Sequence, residues 1–272
     1  MDAIKTSFNR NAPAITFVVL VSLFSIFIST TYHLLTTRPQ EFAHNPKVRE
    51  YENTVGKVME MDPWERVQYY WGNNLKAACI SAAGSPFYYP LTTSIVTGYY
   101  AGIAITYVSH IYGGEVGLAF SAQIFVHGIL ELTGIYLIAA GGLRMAWLLW
   151  VLIGSLSKRR RSGPMIKRVK AASVDLLTLF LLGVAMIFIA APLEAYVSPS
   201  AGGLFTAEPI LSVLFLAGTV AFYSILVKPG MGRMARVAGE TLRKLKTREF
   251  VPEHLSSFIL IFFLALGIAV FL

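Results

Sequence analysis

Four stretches of this chain run for about the length of a membrane span with almost no charge. Pro13–Leu35 holds none; Ala171–Val197 holds only Asp175 and Glu194, one near each end; Ile210–Val227 and Leu255–Leu272 hold none. A bilayer core about 30 Å thick needs roughly 20 apolar residues in helix. Inside lipid every backbone N–H and C=O must be paired within the segment, so helices are the only open-ended solution. Composition agrees: 14% of residues are charged and the mean hydropathy is +0.60. Soluble domains carry about 25% charged residues. An ordinary water-soluble enzyme is excluded. The single cysteine, Cys79, excludes a disulfide framework. The first span lacks the small-residue cleavage pattern of a signal peptide and is expected to be retained.

Two further apolar regions, Leu75–Ser109 and Gly117–Gly154, are too long for a straight pass. At 1.5 Å per residue each would exceed about 50 Å. Pro86 and Pro90 explain a break in the first. Gly128 or the Gly141–Gly142 pair would permit one in the second.

Basic residues set the expected orientation. Ser155–Lys170 carries seven bases and no acid; Lys228–His254 carries seven bases against three acids; Ser198–Pro209 has no base. By the positive-inside rule the basic loops 155–170 and 228–254 face the cytoplasm, as does the N-terminus, and 36–74 is extracytoplasmic. Lys/Arg runs directly against apolar spans read as anchors on anionic lipid rather than as a nucleic-acid surface. Returning from 36–74 to a cytoplasmic Ser155 takes an odd number of crossings. One long region must therefore double back, and the polar residues in 117–154 favour a re-entrant break there. Asp62–Pro63–Trp64–Glu65 has the form of a helix start with a capping aspartate, followed by an interfacial aromatic belt at Tyr69, Tyr70 and Trp71. Met234, Val237, Ala238, Leu242 and Leu245 recur at helical spacing, as in a helix lying on a membrane surface.

Charged groups within a span cost about 2.5–3.5 kcal/mol at mid-membrane and are suspects for function. Gln123, His127 and Glu131 follow at i, i+4 and i+8, on one helix face drifting about 40° per step. Arg144 lies thirteen residues beyond Glu131 and is placed to offset its charge; Glu194 is near the outer end of its span. These groups either handle a proton, ion or polar solute, or bond to each other and to freed backbone, fixing one packing. No HExxH, GxSxG or GxxxxGK[ST] pattern occurs, so zinc-peptidase, serine-hydrolase and nucleotide chemistry have no support. Gly98 and Gly102 form a GxxxG step that lets helices approach closely.

His127–Gly128–Ile129–Leu130–Glu131–Leu132 followed by Gly142–Leu143–Arg144 resembles the HGxxEL…GLR signature of the stage II sporulation protein M family. Asn73–Asn74–Leu75, Gly98 and Gly102 resemble that family's paired asparagines and glycines. Ala190–Pro199 is similar to its AxxIEAxxTP segment, with Pro192 and Ser198 as departures. The resemblance runs from about Asn73 to Pro199. It implies a polytopic membrane protein without assigned catalysis, whose relative in spore formers acts in a complex that moves membrane beside cell-wall hydrolases.

The expectation is an all-α polytopic transmembrane helical bundle, one integral membrane domain of about six spans (13–35, 75–109, a broken 117–154, 171–197, 210–227 and 255–272) with interfacial amphipathic helices. The expected role is a non-enzymatic scaffold in the cell membrane, partnered by anionic lipid, other membrane proteins and copies of itself, with no nucleic acid, cofactor, metal or catalytic residue. The alternative is a transporter moving protons, ions or a small polar solute past Gln123, His127 and Glu131. Signature residues are Asn73, Asn74, Gln123, His127, Glu131, Arg144 and Glu194, with Gly98, Gly102 and Gly128 serving helix packing.

Overall fold

The computed structural model describes residues 2–38, 46–87, 89–157 and 163–246. The expected span 255–272 lies outside them, as do Lys158–Arg161 and the side chains of Val237, Ala238, Leu242 and Leu245. Among the described residues the chain is all helical: α1 (Asp2–Thr36), α2 (Pro46–Glu60), α3 (Pro63–Ala83), α4 (Tyr89–Tyr112), α5 (Gly114–Ser157), α6 (Gly163–Pro192), a π-turn at Leu193–Val197, α7 (Ser198–Ala207) and α8 (Pro209–Lys246). Four stretches are long and apolar enough to cross a membrane: Asp2–Thr36, Gly114–Ile153, Gly163–Ala207 and Pro209–Arg236.

The expected break within 117–154 is not there. Helix α5 is continuous over 44 residues, about 66 Å at helical rise, and packs against α1, α3, α4, α6, α7 and α8. Its glycines are notches rather than bends. A Cβ on Gly142 would strike Ser85 and Pro90, and one on Gly141 would sit 3.2 Å from the Leu176 backbone. The doubling-back lies earlier in the chain. Helix α3 ends at Ala83, a single 3-10 turn follows at Ser85–Phe87, and α4 starts at Tyr89. Region 75–109 is thus the junction of two helices. Its corner seats against the Gly142 notch, two residues from Arg144, while α3 packs on α6 and α4 packs on α1.

Helix α3 begins as its sequence predicts. The Asp62 carboxylate accepts from Trp64 N and Glu65 N at 2.7 and 3.0 Å, and the Glu65 carboxylate accepts from Asp62 N at 3.1 Å, with Pro63 at the first turn. Gly98 and Gly102 do serve packing. A Cβ there would stand 2.6 Å from the Ser22 carbonyl and from Ser29 Cβ, respectively. Across the same contact Ser25 and Ser29 hydroxyls donate to the Ile95 and Tyr99 carbonyls at 2.8 and 2.9 Å. Gly128 is the exception. The nearest atoms to a Cβ there belong to its own helix, at 3.8 Å or more, so it makes no close helix crossing.

Pro13, Pro192 and Pro229 lie inside helices and each frees a carbonyl, because the ring nitrogen cannot donate to residue i−4; two of these carbonyls are taken up by another helix. Pro13 frees Asn9 O, which accepts from Arg233 at 2.8 Å; Pro192 frees Phe188 O, which accepts from Trp71 Nε1 at 3.0 Å. These two breaks in the ladder become ties to another helix. The core beneath holds Ile15, Val18 and Val19 of α1, Leu132, Tyr136 and Leu137 of α5, Leu179 of α6 and Tyr223 of α8. Buried Tyr136 donates to Ser22 Oγ at 2.8 Å.

Candidate functional site: a polar clasp at the π-turn

His127 and Glu131 share a face of α5, one turn apart. The antiparallel course of α6 brings its far end alongside them, and there the helix widens. Ser198 N reaches back five residues to Leu193 O, which makes the π-turn and aims Glu194 at α5. Glu194 Oε1 lies 3.6 Å from His127 Nε2, and Glu131 Oε2 lies 3.9 Å from the same nitrogen. One ligand-capable atom from each of the three lies within 4.8 Å of the others.

The other imidazole nitrogen fixes the ring. Ser198 Oγ lies 2.9 Å from His127 Nδ1 and 3.2 Å from Leu193 O, and donating to Leu193 O leaves it a lone pair to accept a hydrogen bond from Nδ1. In that arrangement the hydrogen sits on Nδ1 and the Nε2 lone pair faces the two carboxyl groups. Glu194 Oε2 is buried with no hydrogen-bond partner.

A cavity of about 280 Å³ reaches this cluster. Gln123, His127, Glu194 and Ser198 line it together with Thr54, Val55 and Val58 of α2 and Arg66 of α3. Arg66 is committed to backbone, donating to the Met61 and Met59 carbonyls at 3.0 and 3.1 Å. Gln123 abuts α7, where a Cβ on Gly202 would meet its amide at 2.5 Å.

Three expected site residues lie elsewhere. Arg144 does not offset Glu131. The two are thirteen residues apart on one straight helix, about 20 Å, and Arg144 instead meets Asp175 Oδ2 at 2.5 Å. Asp175 also receives Arg10 at 2.5 Å and the Ser7 hydroxyl at 2.8 Å, and its side chain is 1% exposed. Asn74 is buried along the inner face of α3, whereas Asn73 lines a groove with Lys76, Thr92 and Thr93. Neither joins the clasp. Ser198 is the contributor that sequence patterning missed, because a serine beyond the end of a span carries no charge signal.

With that geometry in place, the comparison with protein families is informative. Residues 14–199 match the model of the family described as "Stage II sporulation protein M". The chain belongs to that family. The match starts well before Asn73, so α1 through α4 belong to the shared architecture along with the signature helices. It ends at Pro199, just past the π-turn, and so contains every residue of the clasp. No curated protein and no solved structure matches the chain.

Proposed function

We propose that this membrane protein is a non-enzymatic scaffold, with the His127–Glu131–Glu194 clasp acting to hold its helices in one arrangement. The observation that carries this reading is what lies on either side of the clasp. Toward the Arg144–Asp175 end, Leu132, Tyr136, Leu137, Ala139, Ala140 and Leu143 pack into the apolar core with Val18, Val19 and Leu179. A polar route through the bundle would have to cross that packing. At the clasp itself the polar groups face one another and the π-turn backbone. That is the economy of a joint, not of a conduit.

The same reading takes both basic loops and the N-terminus as cytoplasmic in the cell membrane. Helices α3, α4 and α5 then supply three consecutive crossings, the odd number that the charge distribution calls for, and the described helices make six passes. Helix α8 is the least covered of the apolar helices. Ile210, Val213, Leu214, Val220 and Ile225 stand more than half exposed along it. That face meets lipid or the helices of partner membrane proteins, including further copies of this chain.

The experiment is flux through proteoliposomes of defined lipid. Purified protein is expected to give no pH-dependent proton, cation or solute movement above protein-free vesicles. A flux that disappears in a folded Glu131→Gln variant would overturn the scaffold reading in favour of transport.

A further inference from the structure

We infer that the clasp is a binding site for one divalent cation of the zinc class, held by His127 Nε2 and one oxygen each from Glu131 and Glu194. The inference concerns the chemistry of the clasp and is separable from the scaffold reading, since the three groups can also be joined by protons.

The direct contacts are too long to be the bonding themselves. At 3.6 and 3.9 Å the carboxylate oxygens stand outside the 2.7–3.2 Å of an N–H···O bond to His127 Nε2. With its hydrogen on Nδ1, facing Ser198, the ring turns a lone pair, not a hydrogen, toward them. Three lone-pair donors thus face one small volume. Ligands about 2.0–2.2 Å from a tetrahedral ion stand roughly 3.3–3.6 Å from one another. All three atoms already lie within 4.8 Å, so side-chain rotation alone closes the set.

Charge points the same way. Among the described residues no Lys or Arg pairs with Glu131 or Glu194; the ion pairs from Arg10 and Arg144 both go to Asp175. Two ionised carboxylates and a neutral imidazole carry −2, which a divalent ion cancels. Burying those charges unpaired would be prohibitive. The buried, partnerless Glu194 Oε2 is a second, independent sign that something cationic belongs beside this carboxylate.

The ligand types select the ion. Imidazole favours zinc and its transition-metal neighbours over magnesium and calcium, and two carboxylates also admit manganese. Three protein ligands leave a fourth position, and the cavity past Gln123 supplies room there for water or an anionic group. The His127 Nδ1–Ser198 bond is the outer-shell hydrogen bond that metal-ligating histidines characteristically carry.

The test is metal content and thermal stability of the full chain, purified in detergent without a metal-affinity tag. Wild type is expected to hold about one zinc per chain, to lose melting temperature on chelation, and to regain it with added Zn²⁺. Glu194→Gln, close in shape, should fold and lose the metal. Ser198→Ala should keep all three ligands but bind zinc about 10–100-fold more weakly. Wild-type protein that carries no metal and does not respond to Zn²⁺ or Mn²⁺ overturns the site. If Glu194→Gln is then still less stable than wild type, protons join the clasp and the scaffold reading stands; if it is as stable as wild type, both fall.

Discussion

Replacing Asp175 by alanine is expected to be among the most damaging single changes in this protein, at about 3–5 kcal/mol. Its carboxylate is 1% exposed and receives Arg10, Arg144 and the Ser7 hydroxyl. Removing it leaves two guanidinium groups facing each other across the junction of α1, α5 and α6. Arg10 is 42% exposed and finds solvent; Arg144, at 23%, has less recourse. Folded proteins rest on only about 5–15 kcal/mol, so this loss should appear as aggregation or a large drop in melting temperature in detergent. Asp175→Asn keeps the shape and a hydroxyl partner but not the charge, and should recover only part of it. The triple change Arg10→Met, Asp175→Leu, Arg144→Met should lie much nearer wild type, because an apolar set of similar volume replaces a buried ionic one at little net cost. An Asp175→Ala protein with wild-type stability would mean these charges are solvated independently.

A comparable effect is expected from Gly183→Leu, for a steric reason. Helices α5 and α6 cross with Gly134 against Gly183, and a Cβ on either would lie 2.6 or 2.5 Å from the other's carbonyl oxygen. The obstacle is backbone on both sides, so no rotamer relieves it. Membrane helices associate through such close packing, since lipid offers no hydrophobic drive to hold them together. Overpacking a filled core costs about 1–3 kcal/mol per site, and a leucine here must also part the most extensively packed helix pair among the described residues. Even Gly183→Ala should lower the melting temperature. Gly128→Ala, on α5, where the nearest atoms to a Cβ belong to its own helix at 3.8 Å or more, is the control and should not.

That contrast shows what the sequence could convey. Gly98 and Gly102 announced themselves through their spacing, and the packing on α1 follows. Gly134 and Gly183 sit on different helices with no spacing to link them, so their meeting is visible only once α5 and α6 run antiparallel. The His127–Glu131 pair was legible because one helix carries both. Glu194 was legible as a charge near the end of an apolar span, but its meeting with His127 was not, because the two sit on different helices. Arg144 was assigned the wrong carboxylate for a related reason. Counting along one helix suggested Glu131, whereas the true partner comes from another helix, 31 residues on. Charge alone called for a turn in one of the two long regions, but it did not say which. Glycine pairs permit a bend without requiring one, and in α5 they are used to admit Ser85, Pro90 and Leu176. Pro192 looked like a departure from its family segment; it frees the carbonyl that Trp71 binds, one residue before the π-turn.

The central claim, that the three polar groups act together to hold α6 and α7 onto α5, is tested most directly by a double-mutant cycle. Thermal unfolding of His127→Ala, Glu194→Gln and the double variant in one detergent gives the coupling energy. The expected value lies within the 0.5–3 kcal/mol typical of residues sharing a network, with the double variant scarcely worse than His127→Ala alone. Losses that simply add would contradict the account, because they would mean His127 and Glu194 stand near each other without depending on each other.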